Sequence, residues 1–167
     1  MSDGGPALAL RPERDEDLPF LRDLFAASRA AELDLLAFDA EGRVRFGEQQ
    51  LAAQRASWAR THPDASFEIV LVGGVRAGRL VVDRTPSRID VVDIALMPAF
   101  RDRGVGTRLI RALLGEADGA GVPVSLYADA AGRARRLYER LGFKAAGGDG
   151  VRVRLERPAR DQAKIAS

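Results

Sequence analysis

The sequence contains no cysteine and a single histidine, His62. The first absence excludes disulfides, thiolate metal sites and a covalent acyl-cysteine intermediate, and the second excludes a histidine metal cluster. Lysine is almost missing too: of 26 basic residues only Lys144 and Lys164 are not arginine. No apolar run approaches the roughly 20 residues that a membrane span needs, and Met1–Pro6 lacks the charged and apolar segments of a signal peptide. A cytoplasmic protein that neither spans nor binds a membrane is the expectation. Strong charge of either sign is also absent, the formal net charge being +2, too little to argue for nucleic acid as a partner.

What is present is the mix of an ordinary globular chain, 167 residues with 46% apolar and 30% charged. That length supports one domain over 1–167 with its core in 7–157 and a polar, frayed tail over 158–167. The charge is unevenly placed. Residues 1–98 sum to about −4 and residues 99–167 to about +6. A basic half suits an anionic cofactor and an acidic half a cationic acceptor.

Leu8–Arg11 alternates like a short strand, and Asp15–Ser28 has the spacing of an amphipathic helix with Leu18, Leu21, Leu24 and Phe25 on its apolar stripe. A second helix is expected within Arg45–Arg60, while Ala31–Val44 gives no clear period. Three β-rich runs follow, Phe67–Val72, Ala77–Asp83 and Ser87–Leu96, separated by Gly73-Gly74 and Arg84-Thr85-Pro86 as in an antiparallel meander. Val105–Gly119 is helical with Val105, Leu109, Ala112 and Leu113 on one face. A strand at Val122–Tyr127 and a helix at Gly132–Leu141 come next, with Gly142 at the C′ position. A hairpin of Phe143–Ala146 and Val151–Leu155 closes the pattern.

Chemistry concentrates in Arg101-Asp102-Arg103-Gly104-Val105-Gly106-Thr107-Arg108, where a strand runs into a glycine-bearing loop that opens a helix. Such a junction aims free N–H groups at one point, and the helix dipole with Arg101, Arg103 and Arg108 adds positive charge. An anion site is the physical inference; a plain glycine-rich connector is the bland alternative. A dinucleotide fingerprint fails because Leu109 stands where a third glycine belongs, and a P-loop fails because no Gly-Lys-Ser/Thr follows.

Arg101-x-x-Gly104-x-Gly106 resembles the acetyl-CoA signature of the GNAT acetyltransferases, Gln/Arg-x-x-Gly-x-Gly/Ala. Val91–Leu96 followed by Pro98 resembles that family's strand before the loop, and Ala134–Phe143 resembles its closing helix with the Tyr-x-x-x-Gly-Phe signature. The likeness covers about residues 66–157. It implies an α/β fold with a mixed, V-split central sheet of six to seven strands flanked by about four helices. It also implies an enzyme that moves acetyl from acetyl-CoA directly to a primary amine, without metal. Pyrophosphate contacts fall to Arg101, Asp102, Arg103, Gly104, Val105, Gly106, Thr107 and Arg108. Ile94, Ala95 and Leu96 would pair with the pantetheine arm as an added strand does, with Arg133 and Arg136 as further cofactor contacts. One departure is Ala131, where the family often has asparagine. The acceptor would be a small-molecule amine or a protein lysine or N-terminus, and the family is often dimeric.

Within that resemblance Tyr138 is the general acid, since a phenol with a pKa near 10 can protonate the departing thiolate. Spacing alone reads Tyr138 as a packing residue on a stripe with Ala134, Leu137 and Leu141. Asp90 and Asp93 interrupt an apolar strand and are the candidates for the base; Asp90 falls where some lysine-acetylating members carry a glutamate. Three residues apart, they face opposite ways on a regular strand, and ion pairs with Arg88 or Arg79 are the alternative use of both. His62 reads as a turn residue, and Trp58, Arg55 and Glu48 as acceptor-side or packing residues. Two rival classes remain: a non-catalytic acyl-CoA-binding module with the same cradle, and a DNA-binding protein using Arg133–Arg140.

Overall fold

The computed structural model describes residues 4–161. The elements run β1 (Leu8–Pro12), α1 (Leu18–Ser28), α2 (Ala30–Leu35), α3 (Ala40–Thr61), β2 (Ser66–Val72), β3 (Val75–Thr85), β4 (Arg88–Leu96), α4 (Val105–Ala120), β5 (Val124–Asp129), α5 (Arg133–Arg140), β6 (Lys144–Gly148) and β7 (Arg152–Arg157). The strands form one seven-stranded sheet in the order β1-β2-β3-β4-β5-β7-β6. This is the expected mixed α/β class, with five helices instead of about four. Among the described residues no helix is long and apolar enough to cross a membrane. Residues 162–167 of the expected polar tail lie outside the described range. Its start is not frayed, because the Arg160 backbone N–H donates to Asp118 Oδ1 at 2.8 Å.

The chain divides into two compact units, Met1–Val81 with Asp93–Asp102, and Val82–Val92 with Arg103–Ser167. In the first, Leu21, Leu24 and Phe25 of α1, Leu51 of α3 and Ile69 of β2 form the core, with Phe20, Leu71, Ala95 and Met97 packed against it. The sequence assigned Leu18 to this stripe as well, but it is 37% exposed. It is the first residue of α1, on the rim of the turn that Asp15–Asp17 winds before it. Helix α3 begins five residues before the expected Arg45, at Ala40. Asp39 is its N-cap and accepts from the Gly42 N–H at 2.7 Å, which satisfies a first-turn donor. The β2–β3 connection is Gly73-Gly74 with φ of +58° and +80°, the two positive values that a tight hairpin turn demands and that glycine supplies without strain.

Strand β3 approaches β4 at one place without room for a side chain. A Cβ on Gly78 would fall inside the contact envelope of the Ala95 carbonyl oxygen and crowd Leu96. The neighbouring Met97 N–H donates to the Ala77 carbonyl at 2.8 Å. Gly78 therefore fixes how closely the end of β4 lies on β3.

In the second unit α4 buries Val105, Leu109, Ile110, Leu113, Leu114 and Ala117. Ala112, expected on this face, is exposed; Ile110 and Leu114 take its place, and the buried stripe is wider than an a/d seam. Both α4 and α5 pack on β5. Parallel pairing of β4 with β5 is limited to Ile89↔Val124, Asp90↔Ser125 and Val91↔Leu126, although both strands continue. On its other side β5 pairs antiparallel with β7 along its whole length, Val124↔Arg157 to Asp129↔Arg152.

Asp17 is the most buried charge of the first unit, at 0% exposure. It accepts from Arg11 at 2.8 and 2.7 Å, from the Arg14 N–H at 2.8 Å and from Arg76 Nε at 2.8 Å. The hydrogen bonds from Arg11, outweighing the opposing effect of burial, hold its carboxyl well below the usual carboxylate range. A depressed folded pKa stabilises the fold above the unfolded value near 4, and that stability is lost as pH falls from there toward the folded value. Asp17→Asn should cost on the order of 2–3 kcal/mol at neutral pH, less than the roughly 3–5 kcal/mol of a fully enclosed pair because Arg76 keeps water contact. The variant should also flatten the loss of stability below about pH 4, as chemical denaturation at a series of pH values will show. Gly78→Ala should cost roughly 1–3 kcal/mol by overpacking and speed hydrogen exchange at the Ala95–Met97 amides; unchanged exchange there would contradict the close-approach account.

Candidate active site

The loop singled out in the sequence lies where β4 hands the chain to α4. Pro98–Phe100 makes one 3-10 turn, and the Arg101 N–H closes it on the Pro98 carbonyl at 3.2 Å. The Arg101 side chain folds back, Nε donating to the Leu96 carbonyl at 2.9 Å. Of the three strand residues expected to pair with a cofactor, Leu96 thus has its carbonyl already engaged.

Two residues of the loop have left-handed backbone, Asp102 at φ +58° and Gly104 at φ +77°. Aspartate tolerates that region better than most residues, at some cost. Gly104 is the N-cap of α4 and supplies no side-chain cap. The first intrahelical bond of α4 is Arg108 N–H to the Gly104 carbonyl at 3.0 Å, so the amides before it point out of the helix mouth. A Cβ on Gly106 would meet nothing within 4 Å. The same is true of Gly115 and Gly119 further along α4; Gly106 differs from them by standing in the first turn, beside the uncapped amides. Arg103 is exposed without an ion-pair partner among the described residues, and Arg108 is half-buried. Uncapped amides, a positive dipole end and arginines at one mouth make an electropositive cradle.

Tyr138 is buried on α5, at 7% exposure, with its ring edge-on to Phe143 at 5.8 Å between centroids. Its stripe is narrower than the spacing suggested: Leu137 and Leu141 are half-buried and Ala134 is exposed. Gly142 at φ +96° ends the helix as expected. Arg133 and Arg136 are exposed on the same helix, and Ala131 lies exposed in the turn before it.

The two strand carboxylates are both engaged, on different sets of partners. In the second unit Asp90 accepts from the Ser125 hydroxyl on β5 and from Arg88 Nε at 2.8 Å. In the first unit Asp93 pairs with Arg79 at 3.1 Å. Arg79 is 4% exposed and also donates to Gln54 Oε1 at 3.1 Å, with its guanidinium 4.8 Å from the Trp58 ring centroid. Trp58 in turn packs on Phe67 at 6.3 Å. The sequence raised Trp58, and Arg79 as a partner for a strand carboxylate, but gave no signal that Gln54 and Phe67 join them, because these contacts link α3 to three strands. Arg55 pairs with Glu13, and Glu48 with Arg22 at 3.3 Å. His62 is half-buried at the end of α3, its N–H bonded to the Trp58 carbonyl, as a turn residue should be.

Comparison with known proteins gives these features a family. Residues 24–143 match the model of the acetyltransferase (GNAT) family. A mycothiol acetyltransferase of Pseudarthrobacter chlorophenolicus is 33% identical over 101 residues, covering 55% of this chain and 28% of that protein's length. The chain thus spans little more than a quarter of that relative. Among solved structures, the PaiA N-acetyltransferase of Thermoplasma acidophilum in complex with coenzyme A superposes with a TM-score of 0.66 at 15% identity, over 91% of this chain and 99% of that one. A GNAT family acetyltransferase of Elizabethkingia anophelis with acetyl-CoA bound gives a TM-score of 0.58 at 13% identity, over 90% and 97%. These two establish the shared fold, and the family match over most of the chain, including the whole loop from Arg101 to Arg108 and the Tyr138 helix, establishes that this chain belongs to the GNAT acetyltransferase family.

Proposed function

We propose that this chain is an acetyl-CoA-dependent N-acetyltransferase that passes acetyl directly to a primary amine. The observation that carries the reading is the mouth of α4: a glycine N-cap with no capping side chain, outward first-turn amides and an open Gly106, flanked by arginines. Such a site suits a diphosphate, which brings negative charge and many acceptor oxygens to first-turn amides that no side chain caps among the described residues. Arg101 to Arg108 would hold the pyrophosphate, Ile94 and Ala95 the pantetheine amides, and Arg133 and Arg136 further cofactor charge. The coenzyme A and acetyl-CoA bound in the two structural neighbours support this assignment.

In the proposed reaction the amine nitrogen attacks the thioester carbonyl carbon, the C–S bond breaks, and the thiolate takes a proton from Tyr138. Backbone N–H groups near Ala95 and Leu96 would steady the oxyanion. The proton leaving the amine passes through water to Asp90 or Asp93, whose Asn variants would tell them apart by pH profile. The acceptor is a cationic amine on the charge argument, since residues 1–98 carry the acidic excess.

Acetyl-CoA at about a hundredfold its dissociation constant should raise the parent's melting temperature by roughly 5–10 °C. Gly106→Val should abolish that shift in a folded protein, whereas Gly115→Ala, at an equally open position, should keep it and add up to about 1 kcal/mol of stability. A shift that survives in Gly106→Val removes the diphosphate from this mouth. Against the best amine from a panel of primary amines, Tyr138→Phe should lower kcat by about 10²-fold and keep the acetyl-CoA shift, because the ring contact with Phe143 stays. Equal turnover would demote Tyr138 to packing, and a parent that binds acetyl-CoA but transfers to no amine would favour a binding module.

A further inference from the structure

A groove of about 650 Å³ opens on the first unit, away from the residues assigned above, lined by Arg11, Arg76 and Asp23 together with Phe20, Leu71 and Val75. Its polar wall is built on Asp17, whose two oxygens each accept two hydrogen bonds from Arg11, Arg14 and Arg76. Two guanidiniums share that one carboxylate. Arg11 is clamped on Asp17 through both amino groups, one of which also donates to the Pro12 carbonyl at 3.1 Å. Arg76 is different. Only its Nε is used, so among the described residues the two amino groups of a guanidinium already fixed in place have no partner. Asp23, on α1, likewise has no hydrogen-bond or ion-pair partner among the described residues.

The rest of the lining is apolar. Phe20 and Leu71 are partly buried against the core of α1, α3 and β2, and Val75 is 57% exposed. One groove therefore presents an anchored guanidinium fork, a carboxylate of opposite sign and an apolar wall. A fork with two parallel N–H donors matches a carboxylate, a lone aspartate matches an ammonium, and the wall matches a hydrocarbon side chain.

We propose that this groove binds a free apolar α-amino acid as its zwitterion, the carboxylate on the Arg76 amino groups, the ammonium on Asp23 and the side chain along Phe20, Leu71 and Val75. The site shares no residue with the transfer site and is occupied without acyl donor. Ala95 and Met97 pack on the same core as Phe20 and Leu71, so a ligand that orders this wall reaches the end of β4 through side-chain contacts.

The test is calorimetric titration of the full chain with L-leucine in the absence of acetyl-CoA, beside leucinamide, which lacks the carboxylate, and 4-methylpentanoate, which lacks the ammonium. Saturable 1:1 binding of L-leucine is expected, with each analogue weaker by roughly tenfold or more. Arg76→Gln should lose L-leucine, and it leaves the Arg11–Asp17 pair in place. Asp23→Asn breaks no hydrogen bond or ion pair among the described residues and should bind L-leucine no better than the parent binds 4-methylpentanoate. No L-leucine binding by the parent, equal binding of 4-methylpentanoate, or full affinity in a folded Asp23→Asn variant each overturns the proposal. The acetyl-CoA melting shift, measured in the same variants, is expected to persist and so separates this site from the cofactor reading.

Discussion

Helix α4 runs for 16 residues and opens without a capping side chain among the described residues, so its first amides point out of the helix mouth. Asp39 supplies such a cap for α3, whereas α1, α2 and α5 share the lack of a side-chain cap with α4. At α4 the N-cap is Gly104, and the residue two before it, Asp102, also takes a left-handed backbone. The loop gives up local stability at Asp102, and strain of this kind persists where the surroundings over-determine it. Those surroundings are visible: Pro98–Phe100 turns the chain, Arg101 ties it back to Leu96, and the buried stripe of α4 anchors the far side.

The end of β4 is held from the other direction by packing. Gly78 lets β3 approach the Ala95 carbonyl, and Ala95 and Met97 settle on the core of α1, α3 and β2. The start of α1 in turn rests on Asp17, which links Arg11 of β1 to Arg76 of β3 just before the helix begins. A saturated buried carboxylate is directional where apolar packing is not, so it fixes the register of these elements more sharply than leucines alone do.

How much of this was legible in the sequence depended on range. The hairpin at Gly73-Gly74, the stop at Pro98, the C′ glycine at 142 and the loop from Arg101 to Gly106 are local signals, and each stands where it was read. The start of α3 was missed because Asp39 is followed by Gly42 and by few apolar residues, so the helix there has a cap but no stripe. Leu18, Ala112 and Ala134 have the right spacing yet face water, since period alone does not say how wide a face its neighbours cover. The Asp17–Arg76 bond spans 59 positions and leaves no trace in a local pattern. The groove it supports was invisible for the same reason. Arg88 and Arg79 were both legible as partners for the strand carboxylates, and it is the structure that gives Arg88 to Asp90 and Arg79 to Asp93.

Those pairings bear on how the proposed reaction handles protons. A carboxylate kept solely as a base gains nothing from a bound guanidinium, and both strand carboxylates have one. Asp90 also receives the Ser125 hydroxyl at the second of the three parallel pairs joining β4 to β5. Its charge therefore serves the strand junction whether or not a proton ever reaches it. Asp93 lies in a polar and aromatic cluster with Arg79, Gln54 and Trp58, where a buried arginine requires a nearby anion regardless of chemistry. Removing either carboxylate alters structure as well as proton transfer, so a drop in rate alone cannot assign the base. A change in the shape of the pH profile, at unchanged cofactor affinity, can, because the loss of a structural ion pair lowers the rate without removing an ionisation from the catalytic cycle.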